Sequence, residues 1–161
     1  AWRTCVDTAS DCLAFKGFSL TPAKLDGRTV HLYDLHMEAG ESAADDTARA
    51  ADIDELLAYI SEHSKDVALI VAGDFNLETD REPAASQLER LLSSARLTDA
   101  CQKLDCPKPG SIDKVLYRSS ADLALDAESW KLESAVFVTP EGGPLSDHEP
   151  VAVRFHWQAS E

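Results

Sequence analysis

The chain is poor in positive charge, in cysteine and in long apolar runs. Its 161 residues carry 15 Lys and Arg against 29 Asp and Glu, a formal net charge of −14. That balance argues against a broad electrostatic grip on a nucleic-acid backbone. A local basic groove or a bound metal could offset it, which leaves room for a nuclease. The acidity better suits a divalent cation and small or zwitterionic substrates. No apolar stretch reaches the ~18 residues of a membrane-spanning helix. The opening Ala1-Trp2-Arg3-Thr4-Cys5 has no charged-then-apolar leader and reads as an interior or processed start. There is no repeat, low-complexity tract or linker, and the length fits one domain, residues 1–161.

Cysteine is scarce too. The four fall as two local pairs, Cys5/Cys12 and Cys101/Cys106, without CxxC spacing or a neighbouring His cluster, which argues against zinc. Three connectivities are possible. Two short-loop disulfides are favoured, and they predict an extracellular, secreted protein. Four free thiols in a cytosolic protein is the competing reading.

Hydrophobic residues make up 44% of the chain, enough for a core. Residues 13–20 read as a strand. Asp26-Gly27 is a hairpin signal, and Val30–His36 the returning strand. A helix is expected over Ser42–His63, with Ile53, Leu56, Leu57 and Ile60 on one face and Asp45, Asp46 and Asp52 favouring its N-terminal half. The continuous apolar run 67–72 predicts a central strand buried on both faces. Pro83 opens a second helix striped by Leu88, Leu91, Leu92 and Ala95. Further strands are expected at Ile112–Arg118, Leu132–Thr139 and Val151–Trp157, giving an α/β (α+β) layered fold.

Polar side chains recur at the ends of these strands: His36, Asp74 with Asn76, Asp113, and Asp147 with His148. Strand ends sit at the rim of a sheet, where loops build sites. Cleaving a phosphate ester needs a base for water, positive charge for the transition state and neutralisation of the leaving oxygen. A His paired with a carboxylate supplies a base or a charged donor. Carboxylates can hold Mg²⁺. An Asn amide can orient a phosphoryl oxygen.

The set Tyr33-Asp34-Leu35-His36, Gly73-Asp74-Phe75-Asn76, Ile112-Asp113 and Ser146-Asp147-His148-Glu149-Pro150-Val151 resembles the endonuclease/exonuclease/phosphatase superfamily. The phrasing around Leu13–Phe18, Leu35–Gly40 and Asp113–Ser119 looks most like its sphingomyelinase-like branch. The resemblance implies part of a four-layer αββα sandwich of the deoxyribonuclease type, roughly its C-terminal half. It implies His148 as general base or phosphate-contacting His oriented by Asp113. Asp74 would position or activate water, and Asn76 would bind phosphoryl oxygens. His36 would serve the transition state or leaving group, and Asp147 would help hold a metal, Mg²⁺ or another divalent cation. It also implies a phosphodiester substrate, with a phospholipid as one candidate and nucleic acid as another.

The chain departs from the family in one respect. Members open with a half that bears a metal-binding Glu in a Gln-Glu pair. Here the glutamines are Gln87, Gln102 and Gln158, and none precedes Glu. The expectation is therefore a Mg²⁺-dependent phosphodiesterase completed by an N-terminal half that was cleaved, removed or supplied by another chain. The competing expectations are a nuclease of the same fold, a catalytically silent fragment or interaction module, and a domain that has re-closed its sheet alone or as a homo-oligomer. Outside the set, His31 reads as a surface residue, and His63 and His156 as structural. Asp45-Asp46 reads as a helix start. Glu38 is a minor candidate for the missing metal ligand. Trp2, Trp130 and Trp157 read as core or edge packing rather than a lipid contact.

Overall fold

A computed structural model describes residues 1–6 and 11–159. Strands β1 (Gly17–Leu25) and β2 (Arg28–His36) form the hairpin. Its turn residues Asp26 and Gly27 both take positive φ, 45° and 77°, which twists the turn to match the strands. Helix α1 (Ala43–His63) follows. Ser42 caps it, and Asp45 reaches back to the cap N–H, so two otherwise unpaired donors are satisfied reciprocally. Next come β3 (Ala68–Asp74) and α2 (Ala84–Ala95). After them lie a two-residue strand β4 (Thr98–Asp99) and the short helix α3 (Ala100–Lys103). Strands β5 (Asp113–Arg118), β6 (Leu123–Leu132) and β7 (Val151–Ala159) complete the chain.

Five strands form one sheet in the order β1-β2-β3-β5-β4; β6 and β7 form a second. Within the large sheet β2 and β3 run parallel, joined across one face by α1, while the other pairs are antiparallel. Alternation along the strands splits the core in two. On one face Tyr33, Leu35, Leu69, Val71 and Leu116 pack against the stripes of α1 and α2. On the other, Val30, Ala68 and Tyr117 meet Leu123, Leu125 and Ala127 of β6. The result is a helix layer, a five-stranded sheet and a two-stranded sheet, three layers of the expected four among the described residues.

Three expectations need correction. The strand expected at Leu132–Thr139 lies earlier, at Leu123–Leu132. Its buried Leu123, Leu125 and Ala127 alternate with exposed Ala124, Asp126 and Glu128, residues of weak β propensity that hid the pattern. The apolar Val136 and Phe137 that suggested a strand stand exposed in a loop instead. The first strand begins at Gly17, not residue 13, because Asp11–Leu13 is a 3-10 turn and Phe15 takes φ 50°. His31 is buried, not on the surface. It shares the helix-facing side of β2 with Tyr33 and Leu35, and its Nδ1 lies 2.6 Å from Ser64 Oγ. Burial, then the His63 charge, hold its pKa below the usual histidine value. The central strand β3 is fully buried on its helix face and partly on the other, as Ile70 and Ala72 show. Both disulfides, Cys5–Cys12 and Cys101–Cys106, are formed in the favoured pairing.

Candidate active site

Strand register builds the site. His36 pairs with Asp74 across β2 and β3, and Asp74 with Asp113 across β3 and β5. The three therefore form a row across neighbouring strands, on the face turned towards the second sheet. The loop between β6 and β7 then brings His148 over the row. Its Nδ1 lies 2.8 Å from Asp113 Oδ2. A carboxylate only accepts, so Nδ1 carries the proton and Nε2 is left to work. Nε2 sits 3.9 Å from Asp74 Oδ2, too far for a hydrogen bond, while His36 Nε2 lies 3.3 Å from the same oxygen. Asp74 thus stands between two imidazoles. Its side chain is 13% exposed against 50% for His36 and 41% for His148, so a substrate meets the histidines first.

Local backbone explains why Asp74 points there. Gly73 has φ +144°, and a Cβ at that position would lie 2.0 Å from the Leu35 carbonyl oxygen. Only glycine lets β3 approach β2 so closely just before the carboxylate. Beyond it, Asn76 adopts the left-handed region at φ 50°, and its N–H donates to Asp74 Oδ1 at 2.9 Å. The Asn76 amide donates to the Met37 carbonyl at 3.1 Å, tying the motif to the residue after His36. Ser146 Oγ accepts from the His148 N–H at 3.1 Å.

Charge follows from this packing. Burial pushes the Asp74 carboxyl above its usual range, against the opposing effects of the Asn76 N–H and the two histidines. The hydrogen bond to Asp113 raises His148, and the charges of Asp113, Asp74 and Asp147 add to it. A histidine so raised is a stronger base when neutral and a readily available cation when charged.

Asp74, Asp113 and His148 offer ligand atoms that all lie within 4.8 Å of one another. Two carboxylate oxygens and an imidazole nitrogen suit a divalent cation. Asp147 is not among them. It is exposed beside His148 and lines the grooves on either side of it. Glu38 is held elsewhere: its carboxylate is buried and accepts from the Val6 N–H. His63 stacks on Tyr59 at 4.1 Å between ring centres, and His156 lies on β7 outside the row. Sequence reading missed the groove walls. One groove, acidic, is lined by Glu78, Asp80, Lys108, Asp147 and His148. The other, about 420 Å³, is walled by Phe137, Pro144, Leu145 and Pro150, with His148 at its edge. Exposed Phe137 and Leu145 were legible as apolar residues before the Ser146–Pro150 motif, but their place depends on the loop's path.

No family model matches the chain. The sphingomyelinases of Mycobacterium bovis and Mycobacterium tuberculosis are each 32% identical over 98% of it. The chain spans about a third, 34%, of their length. The D. rerio TDP2 structure humanized by 14 mutations superposes over 88% of this chain and 58% of that one, with TM-score 0.69 and 20% identity. The human nocturnin catalytic domain covers 88% of this chain and 52% of its own, with TM-score 0.65 and 24% identity. Sphingomyelinase C from Streptomyces griseocarneus covers 86% and 57%, with TM-score 0.55 and 17% identity. The row of His36, Asp74 and Asp113 under His148, the layered sheets that carry it and these similarities agree: the chain forms part of a deoxyribonuclease I-like fold and is similar over nearly its whole length to about a third of the mycobacterial sphingomyelinases.

Proposed function

We propose that this chain is the C-terminal part of a secreted, Mg²⁺-dependent phosphodiesterase of the sphingomyelinase type, completed by an N-terminal portion of the same fold. The observation that carries the reading is the His148–Asp113 pair set over Asp74 and beside His36. Neutral His148 Nε2 takes a proton, or as the cation donates to a phosphoryl oxygen. Asp74 holds and orients the attacking water, and His36 serves the leaving oxygen. The Asn76 amide keeps one N–H for Met37 and has a second for a phosphoryl oxygen. The carboxylates of Asp74 and Asp113, with Asp147 beside His148, are the residues of this chain that would help hold a divalent ion; it would supply positive charge for the transition state.

The apolar groove beside His148 favours a lipid phosphodiester, and the net charge of −14 favours a zwitterionic one. A nuclease is the second reading, favoured by the same fold in D. rerio TDP2 bound to single-stranded DNA product. The test is Mg²⁺-dependent turnover of sphingomyelin, plasmid DNA and bis(p-nitrophenyl) phosphate. It is run on the chain alone, on the chain with the N-terminal portion added, and on the full-length gene product. Activity on sphingomyelin that is lost in His148→Ala and kept in His63→Ala is expected. Full activity in His148→Ala would sink the assignment. Turnover of DNA alone would select the nuclease, and none at all the silent fragment.

A further inference from the structure

We infer that Trp2 is a positioning residue for His36, an inference that rests on the phosphodiesterase reading of the site. His36 is the last residue of β2, and its half-exposed imidazole reaches Asp74 from a strand end. Where the ring sits depends on the peptide unit that joins His36 to Met37, a rigid plane with one acceptor and one donor. Both are held. The Met37 N–H donates to the Asp74 carbonyl at 2.9 Å, and the Trp2 indole N–H donates to the His36 carbonyl at 2.8 Å. The two clamps come from opposite sides of the chain's path: one from β3 inside the sheet, the other from the segment before β1.

The indole is itself fixed. The Trp2 backbone N–H donates to the Lys16 carbonyl at 2.9 Å, and its ring packs on Phe18 at 5.1 Å between centres. Phe18 in turn meets Tyr59 of α1 at 5.0 Å. The following residues are held independently: the Met37 carbonyl by Asn76, the Glu38 N–H by Asp52 and the Glu38 carbonyl by Arg49. Loss of the indole donor therefore frees one end of a single peptide plane, the one bearing His36, and leaves the rest of the segment tied.

The experiment compares Trp2→Phe, which keeps an aromatic ring and removes the N–H, with Trp130→Phe on β6 of the second sheet, both in the full-length gene product. Turnover of bis(p-nitrophenyl) phosphate is measured together with the imidazole ¹H–¹⁵N signals of His36 and His156. In Trp2→Phe, kcat is expected to fall about threefold to tenfold with KM within about twofold, the scale of losing one hydrogen bond that acts on the reacting geometry. The His36 signals move and those of His156 stay. Trp130→Phe changes neither. Wild-type kcat and unmoved His36 signals in Trp2→Phe would overturn the inference, as would equal displacement of His36 and His156, which marks general loosening. His36→Ala separates the two levels. Wild-type turnover in that variant refutes the proposed role of His36, and the His36 signals in Trp2→Phe still decide whether the indole positions the ring.

Discussion

Asp52 contributes a pH dependence to folding. It is fully buried on α1. One carboxylate oxygen accepts from the Glu38 N–H at 3.0 Å, and the other has no hydrogen-bond partner. Burial, with the charges of Glu38 and Glu55 acting in the same direction, raises its pKa from an ordinary 3.8 to about 7. The folded state therefore binds a proton that the unfolded state releases. Stability falls as pH rises from about 4 towards 7, by at most ~4 kcal/mol for this group at the rate of ~1.4 kcal/mol per pH unit. Relaxation and water entry reduce that to ~1–3 kcal/mol. Asp52→Asn keeps an oxygen for the Glu38 N–H and cannot ionise. Urea denaturation of both proteins at pH 5 and pH 8 reads the effect. The variant is expected to match the wild type at pH 5 within ~0.5 kcal/mol and to exceed it at pH 8 by ~1–3 kcal/mol. Because every other group is common to both proteins, a stability difference that does not change with pH would refute the reasoning.

Other outcomes follow from the same geometry. Asp113→Asn removes the main cause that raises His148, so the acidic limb of the kcat/KM profile should move to lower pH while the maximum rate falls; an unmoved limb would show that His148 is not the group titrating. Any side chain at position 73 meets the Leu35 carbonyl, and Gly73→Ala should cost more than ~2 kcal/mol in urea denaturation, with a near-neutral result contradicting the close approach. Mn²⁺ should broaden the NMR signals of residues around Asp74, Asp113 and His148 first, and Asp74→Asn should weaken that effect; uniform broadening would place the ion elsewhere.

Much of the site was legible because its residues stand at strand ends, and strand ends announce themselves. Gly73-Asp74-Phe75-Asn76 closes an unbroken apolar run, and Ser146–Val151 opens another, so hydrophobic pattern alone located both. The start of α1 was legible for a similar local reason, since Asp45 and Asp46 suit the N-terminal end of a helix; the reciprocal cap between Ser42 and Asp45 appeared only in the structure. The β6 strand was not, because its exposed face uses Ala, Asp and Glu and its buried face is defined only by the sheet it lies on. Nor was the burial of His31, whose partner Ser64 is brought to it by the turn after α1.

The sequence by itself determined which side chains could do phosphate-ester chemistry and the order in which elements carry them. It also determined the acidity that disfavours a nucleic-acid backbone. Tertiary structure alone decided that His36, Asp74 and Asp113 fall in one row, since pairing register is a property of two strands and not of either. It decided that the Nδ1 proton of His148 faces Asp113, that Trp2 holds the peptide after His36, and that an apolar groove opens beside the imidazole. Each depends on segments far apart in the chain meeting once the two faces of the sheet are covered, and local sequence carries no signal for such a meeting.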